Sequence, residues 1–260
     1  MVTVPVALDR HRGHRRAWYG DIIGPLLVRA SQATDLLAAT RPGDDLVVGL
    51  IADTGLAGLV AAMHVLNDQE DRVSAATVEI ALPVGYPPGP ATRTLVDELA
   101  LTATAYVEVP RVGFEDALDV LASDGVERAK YRTGGVRPDA FPDEGELGTF
   151  LAACARRRVA FKLTAGLHHA LRGTSPDGFE QHGFLNIFAA TAAALRGDSP
   201  ADLAAVLALR RPDPVLELLA GLSEYEAAAV RRLFGSFGCC GVIDPVHDLV
   251  ELGALAPEAG

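Results

Sequence analysis

Short apolar runs alternate with amphipathic helical patterns along most of the chain, and this alternation constrains the fold more than any other feature. Such alternation is typical of βαβ units, in which helices join parallel strands. The runs are almost continuously apolar, as expected for strands of a buried parallel sheet. The six clear runs lie at 24–31, 46–55, 73–83, 102–110, 126–135 and 159–169.

Two later runs are candidates for a seventh and an eighth strand. They are GFLNIF at 183–188 and FGCCGVID at 237–244, and residues 199–234 between them have the pattern of two or three extra helices. Eight units in about 250 residues is the size of a (β/α)8 barrel. We therefore predict an α/β fold, a single TIM-like (β/α)8 barrel domain over residues 1–260, with extra helices before the last strand.

The alternative fold is an open, doubly wound parallel sheet. A dinucleotide-binding version of that fold would carry GxGxxG after its first strand, with an acidic residue about 20 positions later. The nearest segment, ADTGLAGL at 52–59, has the wrong spacing. The barrel is therefore the favoured prediction.

Composition excludes several classes of protein. The 260 residues are 49% apolar and 22% charged, which suits a globular chain, and the net charge of −11 argues against nucleic acid or an anionic membrane as a partner. No apolar run approaches the roughly 18 residues that cross a bilayer. Cys154, Cys239 and Cys240 are odd in number and are interpreted as small buried hydrophobes, which predicts a reduced, cytoplasmic compartment.

Two lysines stand out in a chain that otherwise uses arginine. Of the 23 basic side chains only Lys130 and Lys162 are lysines, and both lie inside predicted strands, in RAKYRTGG and AFKLTAGL. They are one βα unit apart, so we expect them on adjacent parallel strands, roughly 4.8 Å apart. A lysine whose neutral form is favoured by burial and like charge can form a Schiff base, which arginine cannot do. The alternative is that both pair with Glu79 or Glu108 at the barrel rim.

A lysine in the sixth strand with a second lysine on a neighbouring strand resembles the class I aldolases and related Schiff-base lyases of the TIM-barrel group. The resemblance covers residues 126–169. It implies that Lys162 forms the imine and that Lys130 favours the reactive form of Lys162. It also implies that small residues after the late strands hold a phosphate or carboxylate of the substrate.

The residues that follow the two lysines are candidates for such a phosphate-binding or carboxylate-binding site. Two glycines after a strand let backbone N–H groups approach an anion closely, and an arginine can hold the same anion through two hydrogen bonds. The alternative is a tight turn that needs glycine for its backbone conformation. The residues assigned to this site are Arg132, Thr133, Gly134, Gly135, Thr164 and Gly166.

Polar side chains near the ends of other strands complete the candidate site. We assign proton transfer to Glu108 or His168. Substrate contacts are assigned to His169, His182, Asn186 and Asp53. In an alternative interpretation, His168, His182 and strand-end carboxylates bind a divalent metal, although no HxH or HExxH spacing supports it.

The sequence thus predicts a small-molecule lyase or aldolase that acts on a carbonyl compound carrying a phosphate or carboxylate, without a cofactor. Two alternatives stay open: a metal-assisted isomerase or hydrolase at the same barrel mouth, and a non-catalytic barrel that binds an anion. A small anionic substrate is the expected partner, with neither nucleic acid nor membrane. The sequence leaves a homo-oligomer open.

Overall fold

The computed structural model describes residues 2–68, 71–99, 103–125 and 128–256. A few positions of the predicted strands at 102–110 and 126–135, and of the resemblance over 126–169, therefore lie outside the described residues.

The described chain contains nine strands. Seven form the main parallel sheet, and the two-residue strands β7 and β8 form a separate antiparallel pair. In chain order the strands are β1 (Leu26–Arg29), β2 (Leu46–Ile51), β3 (Val73–Ala81), β4 (Thr104–Glu108), β5 (Arg128–Arg132), β6 (Phe161–Thr164), β7 (Gly173–Thr174), β8 (Glu180–Gln181) and β9 (Phe234–Gly238).

Eleven α-helices accompany the strands in the described residues. None of them is both long and apolar enough to cross a membrane. They are α1 (Val4–Arg16), α2 (Ala33–Ala39), α3 (Gly55–Asn67), α4 (Pro88–Glu98), α5 (Phe114–Asp124), α6 (Glu144–Arg157), α7 (Phe184–Arg196), α8 (Pro200–Leu207), α9 (Pro212–Ala220), α10 (Glu224–Leu233) and α11 (Ile243–Glu251).

The order of the strands in the main sheet corrects the predicted barrel. The order is β1-β2-β3-β4-β5-β6-β9, and in the described residues no pairing joins β1 to β9. The sheet is therefore open, with seven strands, and the prediction of a closed eight-stranded barrel is wrong. The alternative is right in that the sheet is open and parallel. However, a doubly wound sheet reverses its strand order at a switch point, and this order is sequential.

The seventh and eighth predicted strands account for the difference. Strands β1 to β6 lie within the six clear runs, which confirms those predictions. The run GFLNIF instead begins α7, which is buried almost all round, and short apolar runs do not distinguish a buried helix from a buried strand. The last strand ends at Gly238, so only the beginning of FGCCGVID belongs to it. The extra helices predicted over 199–234 are confirmed as α8, α9 and α10.

The chain divides into two compact units, each with its own core. The first takes in the described residues of 2–81 and 98–107, and the second takes in those of 82–97 and 108–256. In the first unit, apolar side chains of α1, α2, β2 and α3 form the core, including Leu8, Leu36, Leu50 and Leu59. No sequence pattern predicts α1, which is a finding of the structure. The prediction of a single domain stays a prediction.

Aromatic rings form the centre of the second unit. Phe150 of α6 stacks on Tyr131 of β5, with ring centroids 4.3 Å apart, and meets Phe161 of β6 edge-on. Phe161 in turn stacks on Phe234 of β9. Side chains alternate between the two faces of a strand. Lys130 is next to Tyr131 and Lys162 is next to Phe161, so both lysines point to the sheet face opposite α6. That geometry positions both lysines.

Candidate functional site

Lys130 and Lys162 lie side by side on the sheet face opposite α6. In the parallel ladder of β5 and β6, Lys130 is in register with Lys162, and Ser236 of β9 is in register with Lys162 on its other side. Each lysine is only 5% exposed. The prediction that they stand on adjacent strands is confirmed, and they share the face with polar neighbours because the rings occupy the other face.

Glu108, at the end of β4, makes ion pairs with two cations of β5. Its carboxylate lies 2.8 Å from Lys130 Nζ and 3.2 Å from Arg132 Nε. Burial works to raise the pKa of Glu108, but the positive charges of Lys130 and Arg132 outweigh it and hold that pKa below its usual value. Glu108 is therefore a carboxylate at neutral pH. The side chain of Arg132 is 48% exposed, and it forms the accessible edge of this group.

The turns after β5 and β6 pack directly against each other. The Thr133 hydroxyl donates to the carbonyl of Ala165 at 2.6 Å, and the Thr133 amide donates to Thr164 O at 2.9 Å. A Cβ on Gly134 would stand 2.9 Å from the Gly166 Cα, and Gly166 has a φ of +76°. Glycine is required at positions 134 and 166 because the two turns approach each other closely. A phosphate or carboxylate at the turns stays a prediction.

His168 lies in a polar group that sequence analysis did not foresee. Its Nδ1 is 3.6 Å from Cys239 Sγ and 3.9 Å from Asp244 Oδ2, and its Nε2 is 3.6 Å from Cys240 Sγ. Cys154 is buried as predicted, whereas Cys240 is exposed, so the interpretation of all three cysteines as buried hydrophobes is wrong. The sequence feature that could have indicated the group around His168 is the adjacent cysteine pair at the predicted last strand.

Three other predicted site residues have hydrogen-bond partners that are not members of the lysine group. His169 contacts Asp248 at 3.2 Å, and the Asn186 side chain donates to the carbonyls of Val206 and Leu209. In the first unit, Asp53 accepts hydrogen bonds from the amide and the hydroxyl of Ser31. These contacts hold loops and helix ends in place.

His182 is buried against a main-chain carbonyl and a cation. Its Nε2 donates to Pro142 O at 2.8 Å, and Arg172 Nη1 lies 3.5 Å from its Nδ1. Burial is the largest cause that lowers the pKa of His182, and the hydrogen bond to Pro142 opposes it. The neutral ring with its proton on Nε2 therefore suits this site.

We expect His182 to make the stability of the protein depend on pH. Because its folded pKa is lowered, its contribution is complete above the usual value of about 6.5 and is lost as the pH falls below it. Urea unfolding of the wild type should show a lower free energy of unfolding at pH 5.5 than at pH 7.5, with a smaller difference in His182→Gln. The variant keeps part of this change in the free energy of unfolding with pH, because burial also lowers the pKa of His11. If the free energy of unfolding changed equally with pH in wild type and in His182→Gln, His182 would not be a source of the pH dependence.

The described residues contain no group of three or more histidine, cysteine, aspartate or glutamate side chains arranged to hold a metal ion. His168 and His182, which the metal interpretation combines, have separate sets of partners. That interpretation thus gains no support from the geometry.

Comparison of the chain with protein-family models, with curated proteins and with solved structures finds no match.

Proposed function

We propose that the protein is a small-molecule lyase or aldolase that acts on a carbonyl compound carrying a phosphate or carboxylate, with Lys162 as the nucleophile. The observation that carries the proposal is the register of the two lysines: they lie side by side on β5 and β6, and Glu108 forms an ion pair with one of them. Class I aldolase chemistry is the finer assignment that the resemblance of residues 126–169 suggests.

The charge arrangement favours different roles for the two lysines. Lys130 Nζ lies 2.8 Å from the Glu108 carboxylate and forms an ion pair with it. Lys162 lies beside this cation, in register with Ser236. An imine forms when a lysine nitrogen attacks the carbonyl carbon, and in the family that residues 126–169 resemble the lysine of the sixth strand does so. We therefore assign imine formation to Lys162 and a positioning role to Lys130.

The proposed reaction uses the side chains of Lys162, Glu108 and Arg132. The Lys162 amine attacks the carbonyl carbon, and the adduct takes up one proton from solvent and loses water, which leaves a protonated imine. The imine takes up the electron pair of the C–C bond that breaks, while the Glu108 carboxylate accepts the proton of the substrate hydroxyl next to that bond. We assign the substrate anion to Arg132, which is half exposed beside Glu108.

We expect borohydride to trap a substrate imine on Lys162. The protein is incubated with sodium borohydride and with glyoxylate, pyruvate or dihydroxyacetone phosphate in turn, and the adduct is located by peptide mass spectrometry. One reduced adduct should form, on the peptide that contains Lys162, and Lys162→Arg should abolish it. Mapping is simple because the chain has only two lysine side chains.

Arg211→Lys is the matched control, because it adds a lysine at a position whose side chain is 81% exposed. A specific site should leave position 211 unlabelled while Lys162 reacts. Labelling of position 211 as strong as that of Lys162, or no adduct with any of the three compounds, would contradict the proposal. In that case a thermal shift with Mg²⁺, Mn²⁺ or Zn²⁺ would favour the metal-assisted alternative. A shift with inorganic phosphate alone would favour the anion-binding alternative.

A further inference from the structure

The segment after β9 surrounds His168 on both edges of its ring. Cys239 lies at the Nδ1 edge and Cys240 at the Nε2 edge, both with sulfur-to-nitrogen distances of 3.6 Å. Asp244, in the first turn of α11, is 3.9 Å from Nδ1. Neighbouring His169 contacts Asp248 instead. The charged and titratable groups that contact His168 are thus two thiols and one carboxylate.

The surroundings of Nδ1 favour one tautomer of His168. Cys239 donates its S–H to the carbonyl of Gly241 at 2.7 Å, so its sulfur is left as an acceptor. Burial raises the pKa of Cys239 to about 11, which keeps it a thiol at neutral pH. An acceptor sulfur and the Asp244 carboxylate on the same edge both favour a proton on Nδ1. The lone pair of the ring is then on Nε2, directed at Cys240.

We propose that Cys240 is a nucleophilic thiol, with His168 as its base and Asp244 as a positioning residue, and that it reacts with small disulfides. An adjacent base held by a third group is the arrangement that activates a nucleophile. Cys240 is exposed and therefore accessible. It also lies shortly before α11 in the chain.

The exchange step needs only the two groups that the site supplies. The proton of Cys240 passes to His168 Nε2, and the thiolate attacks one sulfur of R–S–S–R. The S–S bond breaks, the departing R–S⁻ takes the proton from His168, and a mixed disulfide Cys240–S–S–R remains. Cys239 does not release the adduct, because it stays protonated and because residues adjacent in sequence rarely bridge each other.

The test uses 5,5′-dithiobis(2-nitrobenzoate), a small aromatic disulfide, with the full chain at pH 7. We expect one fast equivalent of released thiolate in the wild type, lost in Cys240→Ser and kept in Cys239→Ser. His168→Gln should slow this equivalent about tenfold, because an ordinary cysteine with a pKa near 8.5 is only about 3% thiolate at pH 7. His169→Gln, one residue away, is the matched control and should react as the wild type does. Mass spectrometry should place the mixed disulfide on Cys240.

Three results would overturn the proposal: a fast equivalent that persists in Cys240→Ser, equal rates in His168→Gln and wild type, or a wild-type rate no faster than that of a cysteine in an unstructured peptide. If thermal unfolding shows that His168→Gln is not folded, the pH dependence of the wild-type rate decides. A paired thiolate keeps most of its rate from pH 8 to pH 6. An unassisted thiol loses about tenfold for each pH unit below its pKa.

Discussion

Glu108→Gln should lower the free energy of unfolding by about 3 kcal/mol at pH 7, because it breaks a buried ion pair while leaving the cation in place. The side chain of Lys130 is 6% exposed and lies 2.8 Å from the Glu108 carboxylate. A buried ammonium that loses such a partner keeps its desolvation cost without the compensating attraction. Urea unfolding at pH 7 measures the loss.

The pH dependence of this loss identifies the charge as its cause. The folded pKa of Glu108 lies below its usual value, so its stabilising contribution is complete above about pH 4.5 and is lost as the pH falls through the folded pKa. The difference between wild type and Glu108→Gln should therefore be constant from pH 7 to pH 5 and should shrink below pH 4.5. A difference that already shrinks between pH 7 and pH 5 would point to another group.

An exposed ion pair provides the control for Glu108→Gln. Asp119 lies 2.6 Å from Arg157 Nε, and its side chain is largely exposed. Because water and salt screen such a pair, Asp119→Asn should cost no more than about 1 kcal/mol. Equal losses in the two variants would mean that burial does not decide the strength of the Glu108 pair.

Gly183→Ala should destabilise the protein by about 3 kcal/mol, because a methyl group has no room at this position. A Cβ on Gly183 would overlap the main chain of Leu171 and the carbonyl of Ala170, and the backbone cannot rotate away as a side chain can. Gly183 immediately precedes α7, whose first amides donate to the carbonyls of His169 and Ala170. The segment next to His168 is thereby held against the start of α7.

Gly173→Ala is the matched control, since the same added methyl group would meet no atom within 4 Å. Its free energy of unfolding should stay within about 0.5 kcal/mol of the wild type, as for most surface substitutions. Thermal or urea unfolding compares the two variants directly. If Gly183→Ala were as stable as Gly173→Ala, the close approach of Leu171 to Gly183 would not be a structural constraint.

The fold was predictable from sequence where helices and strands alternate regularly. Six strands and three extra helices lie where the patterns place them. The prediction of a strand at GFLNIF is wrong because α7 is buried almost all round. Its apolar residues therefore show no periodicity that distinguishes a helix from a strand. Without that strand the count of eight fails, and with it the closed barrel.

The candidate site was predictable in part. The spacing of Lys130 and Lys162 indicated adjacent strands because one βα unit separates them, and Glu108 was assigned to the same group as the residue that ends the preceding strand. The group around His168 was not predictable. Cys240 and Asp244 lie more than 70 residues from His168 in the chain, and no local pattern relates residues so far apart.

The sequence by itself determined which residues stand on neighbouring strands, because strand spacing and side-chain alternation are local properties. It also determined that lysine, and not arginine, occupies both strand positions at the centre of the site. Only the tertiary structure decided whether the sheet closes and which loops meet at its edge. Those outcomes depend on contacts between distant segments: Glu108 reaches Lys130, and the segment after β9 brings two cysteines to one histidine.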